Sequence, residues 1–119
     1  MSVHHAWAVT SSVSPEAWEP YPIDDVEEGD PQGEVAFLRS EDDGERMLHV
    51  GLFRGQPSRF RYVYAGNESV HLLAGRVTIT AESGEAVELV PGSLAVFAKG
   101  TRAVWEIHEP SMKFFVISS

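Results

Sequence analysis

The sequence predicts an all-β domain, a β-sandwich or jelly-roll barrel preceded by an extended N-terminal arm, and three observations carry that reading. From residue 34 onward, short runs rich in valine, isoleucine, leucine and aromatics recur at close spacing, bounded by glycine, asparagine or acidic turns. Several of these runs alternate apolar and polar residues with the period of two that a half-buried strand requires. No stretch keeps the helical period long enough to form a convincing amphipathic helix. Many short strands without helices close into two packed sheets or a barrel.

The chain has 119 residues, enough for one domain that buries about two thirds of its unfolded surface. The division predicted is an arm over 1–32 and a barrel over 33–119. A formal net charge of −9 opposes phosphate backbones and anionic membranes, which need clustered Lys and Arg. Nucleic acid and membrane are therefore not expected as partners. The absence of cysteine removes disulfide and thiolate chemistry and suits a reducing, cytoplasmic setting. MSVHHAWAVTSS lacks the basic start and apolar run of a signal peptide, and no apolar segment approaches the ~20 residues of a membrane span. His4 and His5, adjacent near a terminus with no supporting shell, are given no role.

Over 14–33 the chain is acidic and punctuated by Pro15, Pro20, Pro22 and Pro31, which favours an extended arm over helix or strand. Trp18, Tyr21 and Ile23 nonetheless carry apolar area that must be buried, so the arm either docks on the barrel or a partner subunit, or is a partly disordered leader. The strands follow in order. Residues 34–39 and 46–54 form a hairpin across an acidic turn, and 58–64 and 69–73 flank an AlaGlyAsn turn. Residues 76–80 and 86–90 form the clearest hairpin, with Val77 and Ile79 facing Val87 and Leu89. The last strands are 94–97, 103–108 and 113–117.

Two stretches set the candidate site. Residues 60–75, FRYVYAGNESVHLLAG, put Phe60, Tyr62 and Tyr64 on one strand face and deliver Glu68, a carboxylate among aromatics. Residues 91–105, PGSLAVFAKGTRAVW, hold a strand between glycine turns. The next strand alternates Ala103, Trp105 and Ile107 against Arg102, Val104, Glu106 and His108.

The spacing of Glu68 to Gly75, with Gly92 followed by Ala98, Lys99 and Gly100, resembles the paired motifs of the cupin superfamily. The resemblance implies a cupin-type double-stranded β-helix, a jelly-roll barrel. In that family the first motif supplies two histidines and a glutamate to a metal, and the second supplies a third histidine. Carried over residue by residue, the glutamate falls on Glu68 and the histidines on Tyr62, Tyr64 and Ala103, with Ala98 in place of the usual proline. Those substitutions imply no bound metal and no cofactor. Residues 51–75 and 92–117 further resemble single-domain cupins akin to the ureidoglycine aminohydrolase type, which implies a metal-dependent, aminohydrolase-like activity as one alternative. That chemistry in the family uses a metal and a two-barrel chain; this chain holds one barrel.

Glu68 is expected either as a general acid or base, or as a rim carboxylate bonded to the turn; burial disfavours its charge unless a cation is close. Lys113, opening the last strand, is the candidate counter-charge, and the pair serves either proton transfer or the pinning of two strands. Tyr62 and Tyr64 either donate hydrogen bonds to a substrate oxygen or are core aromatics. These four are the candidate catalytic residues, and Phe60, Phe97, Ala103 and Trp105 are expected to line the pocket, with Trp105 alternatively plain core. Arg59 and Arg61 fall on the outer face. His71 and His108 stand at odd separations from Glu68 and Ala103 and so face away from the pocket, while His49 stays open. A glutamate with one histidine falls short of the three protein ligands of typical catalytic zinc sites.

The functional expectation is a metal-independent cupin that binds a small-molecule ligand, a polar or carbonyl metabolite, with acid/base catalysis through Glu68 and a tyrosine. The alternative is a non-catalytic ligand-binding or structural module. The resemblance also implies a homodimer.

Overall fold

The computed structural model describes residues 3–4 and 7–119. The expectation for His4 and His5 concerns side chains that lie outside the described residues. The described residues form eleven strands: β1 (Val3–His4), β2 (Val9–Thr10), β3 (Glu19–Pro20), β4 (Val26–Gly29), β5 (Glu34–Asp42), β6 (Met47–Gly55), β7 (Ser58–Val63), β8 (Asn67–Ala81), β9 (Ala86–Leu89), β10 (Leu94–Phe97) and β11 (Arg102–Ser118). Among them is no helix, and so none long and apolar enough to cross a membrane.

Two long strands organise the barrel. Where the sequence pattern predicts short segments over 69–73 and 76–80, and again over 103–108 and 113–117, each pair is one bent strand, β8 and β11. They run antiparallel over almost their whole lengths, from Ala103 opposite Ala81 to Ser118 opposite Asn67. Register shifts between Ile107 and Lys113 mark the corner where both strands pass from one wall of the barrel to the other. Gly75 makes the bend in β8 possible. Its φ of +87° is left-handed, and a Cβ there would collide with Ser111 Oγ and lie 2.6 Å from the Pro110 carbonyl oxygen. Across the bend the inward parity of β8 changes, from Glu68, Val70 and Leu72 to Val77 and Ile79. Along β11 it does not: Ala103, Trp105, Ile107, Lys113 and Phe115 are all buried.

One wall pairs β7 with the first half of β11, which pairs in turn with the second half of β8 and then β9. The other wall runs β5, β6, the second half of β11, the first half of β8 and β10. The β8–β9 hairpin has the register read from the sequence, Val77 opposite Leu89 and Ile79 opposite Val87. Facing side chains form two clusters. The larger contains Phe60, Tyr64, Leu72, Val77, Trp105 and Ile107, and the smaller Val35, Phe53 and Phe115. Each fully buried large apolar side chain contributes roughly 1.5–3 kcal/mol, so the larger cluster is the main anchor of the fold.

The arm differs from expectation in containing strands despite its prolines. Pro20 pairs with Glu34 at the outer edge of β5, where a missing N–H costs no ladder bond, and β4 pairs with β7. The Tyr21 N–H donates to the Gly33 carbonyl at 2.8 Å, and the Arg61 N–H donates to the Asp25 carbonyl at 2.9 Å. Arg61 Nε reaches Glu27 at 2.9 Å, and Arg59 reaches Glu28 at 3.1 Å and Glu27 at 3.5 Å. The guanidinium of Arg54 lies 4.0 Å from the centre of the Trp18 ring. Arg59 and Arg61 face outward as the strand period requires, and what they meet there is the acidic arm.

Candidate functional site

Between the two clusters lies a cavity of about 270 Å³, lined by residues of the arm, β5, β6, β7, β8 and β11. Its walls are almost wholly apolar, and its polar end is built by three side chains. Glu68, at the start of β8, is 1% exposed. The Lys113 ammonium, from β11, donates to Glu68 Oε2 at 2.6 Å, and the Tyr62 hydroxyl, from β7, donates to Glu68 Oε1 at 3.0 Å. The Lys113 side chain is 10% exposed. Both carboxylate oxygens thus accept a strong donor. The alternative of a rim glutamate bonded to its turn is removed by that burial.

The ammonium is surrounded by rings. Its nitrogen lies 4.4 Å from the centre of Trp105, 5.4 Å from Phe53, 5.7 Å from Phe115 and 5.9 Å from Tyr62. Trp105 stacks on Phe60 at 6.1 Å and sends its indole N–H to the Tyr64 hydroxyl at 2.9 Å, so it is both core and cavity wall. Burial, and then the Glu68 charge, push the Tyr62 phenol well above its ordinary range; burial does the same to Tyr64. Tyr62 therefore serves as a hydrogen-bond donor and not as a phenolate base.

The structure brings together Glu68, Tyr62, Lys113, Phe60 and Trp105 at one cavity. It separates Tyr64, Phe97 and Ala103 from it. Tyr64 is buried in the core, stacked on Phe97 at 4.8 Å and 11°. Phe97 is spent on that stack at the end of edge strand β10, and Ala103, opposite Tyr62 on β11, is too short to reach the space. Sequence reasoning missed Tyr21 and Ile23 of the arm, which complete the wall, and Val35, Phe37, Phe53, Phe115 and Ile117. The period of two that puts Lys113 inward also puts Phe115 and Ile117 inward, so the pattern held that signal. His49 lines the cavity, its Nδ1 2.7 Å from Ser40 Oγ, while His108 bonds Thr78 at 2.7 Å on the outer side.

These donors do not fit a divalent metal. Lys113 places its ammonium on the Glu68 oxygen that would bind a cation, the Tyr62 proton is held, Tyr64 accepts the Trp105 N–H, and Ala103 has no donor atom. Among the described residues no group of three or more His, Cys, Asp or Glu has a metal-holding arrangement.

Three solved structures illustrate what the fold is similar to. A DUF861 family protein from Thermotoga maritima is 32% identical, with 56% of this chain and 75% of that chain covered and a TM-score of 0.54. The EutQ protein of Clostridium difficile is 18% identical over 71% of this chain and 66% of its own, with a TM-score of 0.62. A DUF861 family protein from Pseudomonas syringae pv. tomato, described as of unknown function, is 19% identical over 87% of this chain, with a TM-score of 0.74. This chain spans 44% of that last protein. No curated protein matches the sequence. The EutQ-like cupin domain family matches residues 43–115, which include every strand from β6 to β10 and most of β11. With the curled antiparallel barrel, that match over more than half of the chain identifies it as a member of the EutQ-like cupin family.

Proposed function

We propose that the cavity is a metal-independent small-molecule site in which Glu68 acts as acid and base on a carbonyl-type metabolite, with Lys113 and Tyr62 as fixed donors. One observation carries the reading: a fully buried carboxylate holds an ammonium at 2.6 Å and a phenol at 3.0 Å, with all three groups at one end of an otherwise apolar cavity. An ionised carboxylate has about four acceptor positions, and two are used. The remaining lone pairs supply a base. Glu68 takes a proton from the carbon next to a bound carbonyl, and an N–H of Lys113 meets the oxygen where negative charge develops. Return of the proton to the other face or to another carbon gives an isomer with no net change in atoms.

The test is incorporation of deuterium from heavy water next to the carbonyl of a bound ketone, with chelator present. Wild-type protein exchanges, and Glu68→Gln loses roughly 100-fold or more while still binding. Exchange that is equal in the variant would refute an acid/base role. The aminohydrolase-like alternative requires a metal that these donors do not suit.

The reading extends to a homodimer, supported by edge strand β10, which presents Leu94 and Val96 outward at 78% and 76% exposure. Light scattering is expected to give a dimer for the wild type and a monomer for the Leu94→Lys, Val96→Lys variant. A wild-type monomer at micromolar concentration would remove the pairing.

A further inference from the structure

Resting on the reading of the cavity as a small-molecule site, we infer that its ligand is an uncharged, flat compound of single-ring size whose one polar anchor is a carbonyl oxygen. Three observations lead there. First, an ammonium carries three N–H donors, and among the described residues only Glu68 Oε2 accepts from Lys113. The Trp105 ring at 4.4 Å stabilises the charge but offers no lone pair. Donors left over on a cavity wall call for an oxygen acceptor from the ligand. The Tyr62 proton is already committed to Glu68, which leaves Lys113, and not Tyr62, as the spare donor beside that carboxylate.

Second, the charges at the polar end already balance. Glu68 and Lys113 neutralise each other at 2.6 Å within the cavity. A ligand carboxylate would leave a net negative charge between apolar walls, and a ligand ammonium a net positive one; either is costly where few polar groups compensate it. A neutral carbonyl uses the spare donor without upsetting the balance.

Third, the rest of the wall is mostly hydrocarbon and ring, its other polar groups being the Tyr21 hydroxyl and His49, whose Nδ1 lies 2.7 Å from Ser40 Oγ. Phe53, Phe60, Trp105 and Phe115 from the barrel, with Ile23 from the arm, offer faces and edges to a flat apolar body. About 270 Å³ lies just below the ~300–1,000 Å³ usual for small-molecule sites, so the ligand is small.

The test uses four single-ring probes of nearly equal size on the wild-type protein, read by tryptophan fluorescence and thermal shift: acetophenone, ethylbenzene, benzoate and benzylamine. Acetophenone is expected to bind about tenfold or more tightly than each of the others. In the double variant Glu68→Gln, Lys113→Met the preference for acetophenone over ethylbenzene is expected to vanish. Benzoate or benzylamine binding as well as acetophenone would overturn charge neutrality, and ethylbenzene binding as well would overturn the carbonyl anchor; in both cases the cavity would still be a small-molecule site. If none of the four binds, the small-molecule reading itself falls, and the inference with it.

Discussion

Replacing Lys113 by methionine isolates the interaction on which the site depends. Methionine keeps the apolar stem of the lysine and removes the ammonium, leaving Glu68 at 1% exposure with Tyr62 as its remaining side-chain donor. Removing one partner of a buried ion pair costs about 3–5 kcal/mol, because the other charge is left uncompensated. At about 4 °C per kcal/mol for a domain of this size, the variant should melt roughly 12–20 °C below wild type. Glu68→Gln should cost less, since the amide oxygen still accepts from Lys113. Combining the two removes both charges, so the double variant should lose less than the sum of the singles, by about 1–3 kcal/mol. Urea unfolding of all four proteins measures that coupling. Losses additive within about 0.5 kcal/mol would show that the two groups do not act as a pair, and the account of the cavity's polar end would fail with them.

Two further predictions concern the arm and the tyrosines. Arg59 and Arg61 hold the acidic arm by partly exposed pairs worth ~0–1 kcal/mol each, so Arg59→Ala with Arg61→Ala, or roughly 1 M salt, should speed proteolysis within 19–33 and ligand exchange from the cavity; unchanged cleavage would refute the latch. Tyr62 and Tyr64 are raised in the folded state, so their contribution is fully present below the unfolded value near 10 and is lost as pH rises from there toward the folded values. Unfolding free energy should fall above about pH 10 by up to ~1.4 kcal/mol per pH unit for each, and less in Tyr62→Phe; stability flat from pH 9 to 11.5 would contradict their burial.

The barrel was legible because its signals are local. Alternation over 60–64 and 103–107 requires one buried face, and the β8–β9 turn fixes its own register. The carboxylate was legible for the same reason: Glu68 is a charge in a stretch whose alternate positions are core. What the pattern could not convey came from the long range. Two short segments became one strand at Gly75 because a left-handed glycine bends a strand without ending it, and a glycine in sequence reads equally as a stop. Phe97 and Ala103 followed from inward parity, but parity names a face and not a depth, and Phe97 is occupied by Tyr64. The arm's part in the cavity depends on ion pairs between residues more than thirty positions apart, such as Glu27 and Arg61, which no local period encodes.

The most direct test of a metal-independent site is elemental analysis of protein purified without an affinity tag or chelator, read beside its native mass. Substoichiometric metal, with full binding of acetophenone by the same sample, is the predicted result. A transition metal retained at close to one equivalent and displaced only with loss of binding would contradict it, since no cation of that kind can share Glu68 with the Lys113 ammonium at 2.6 Å.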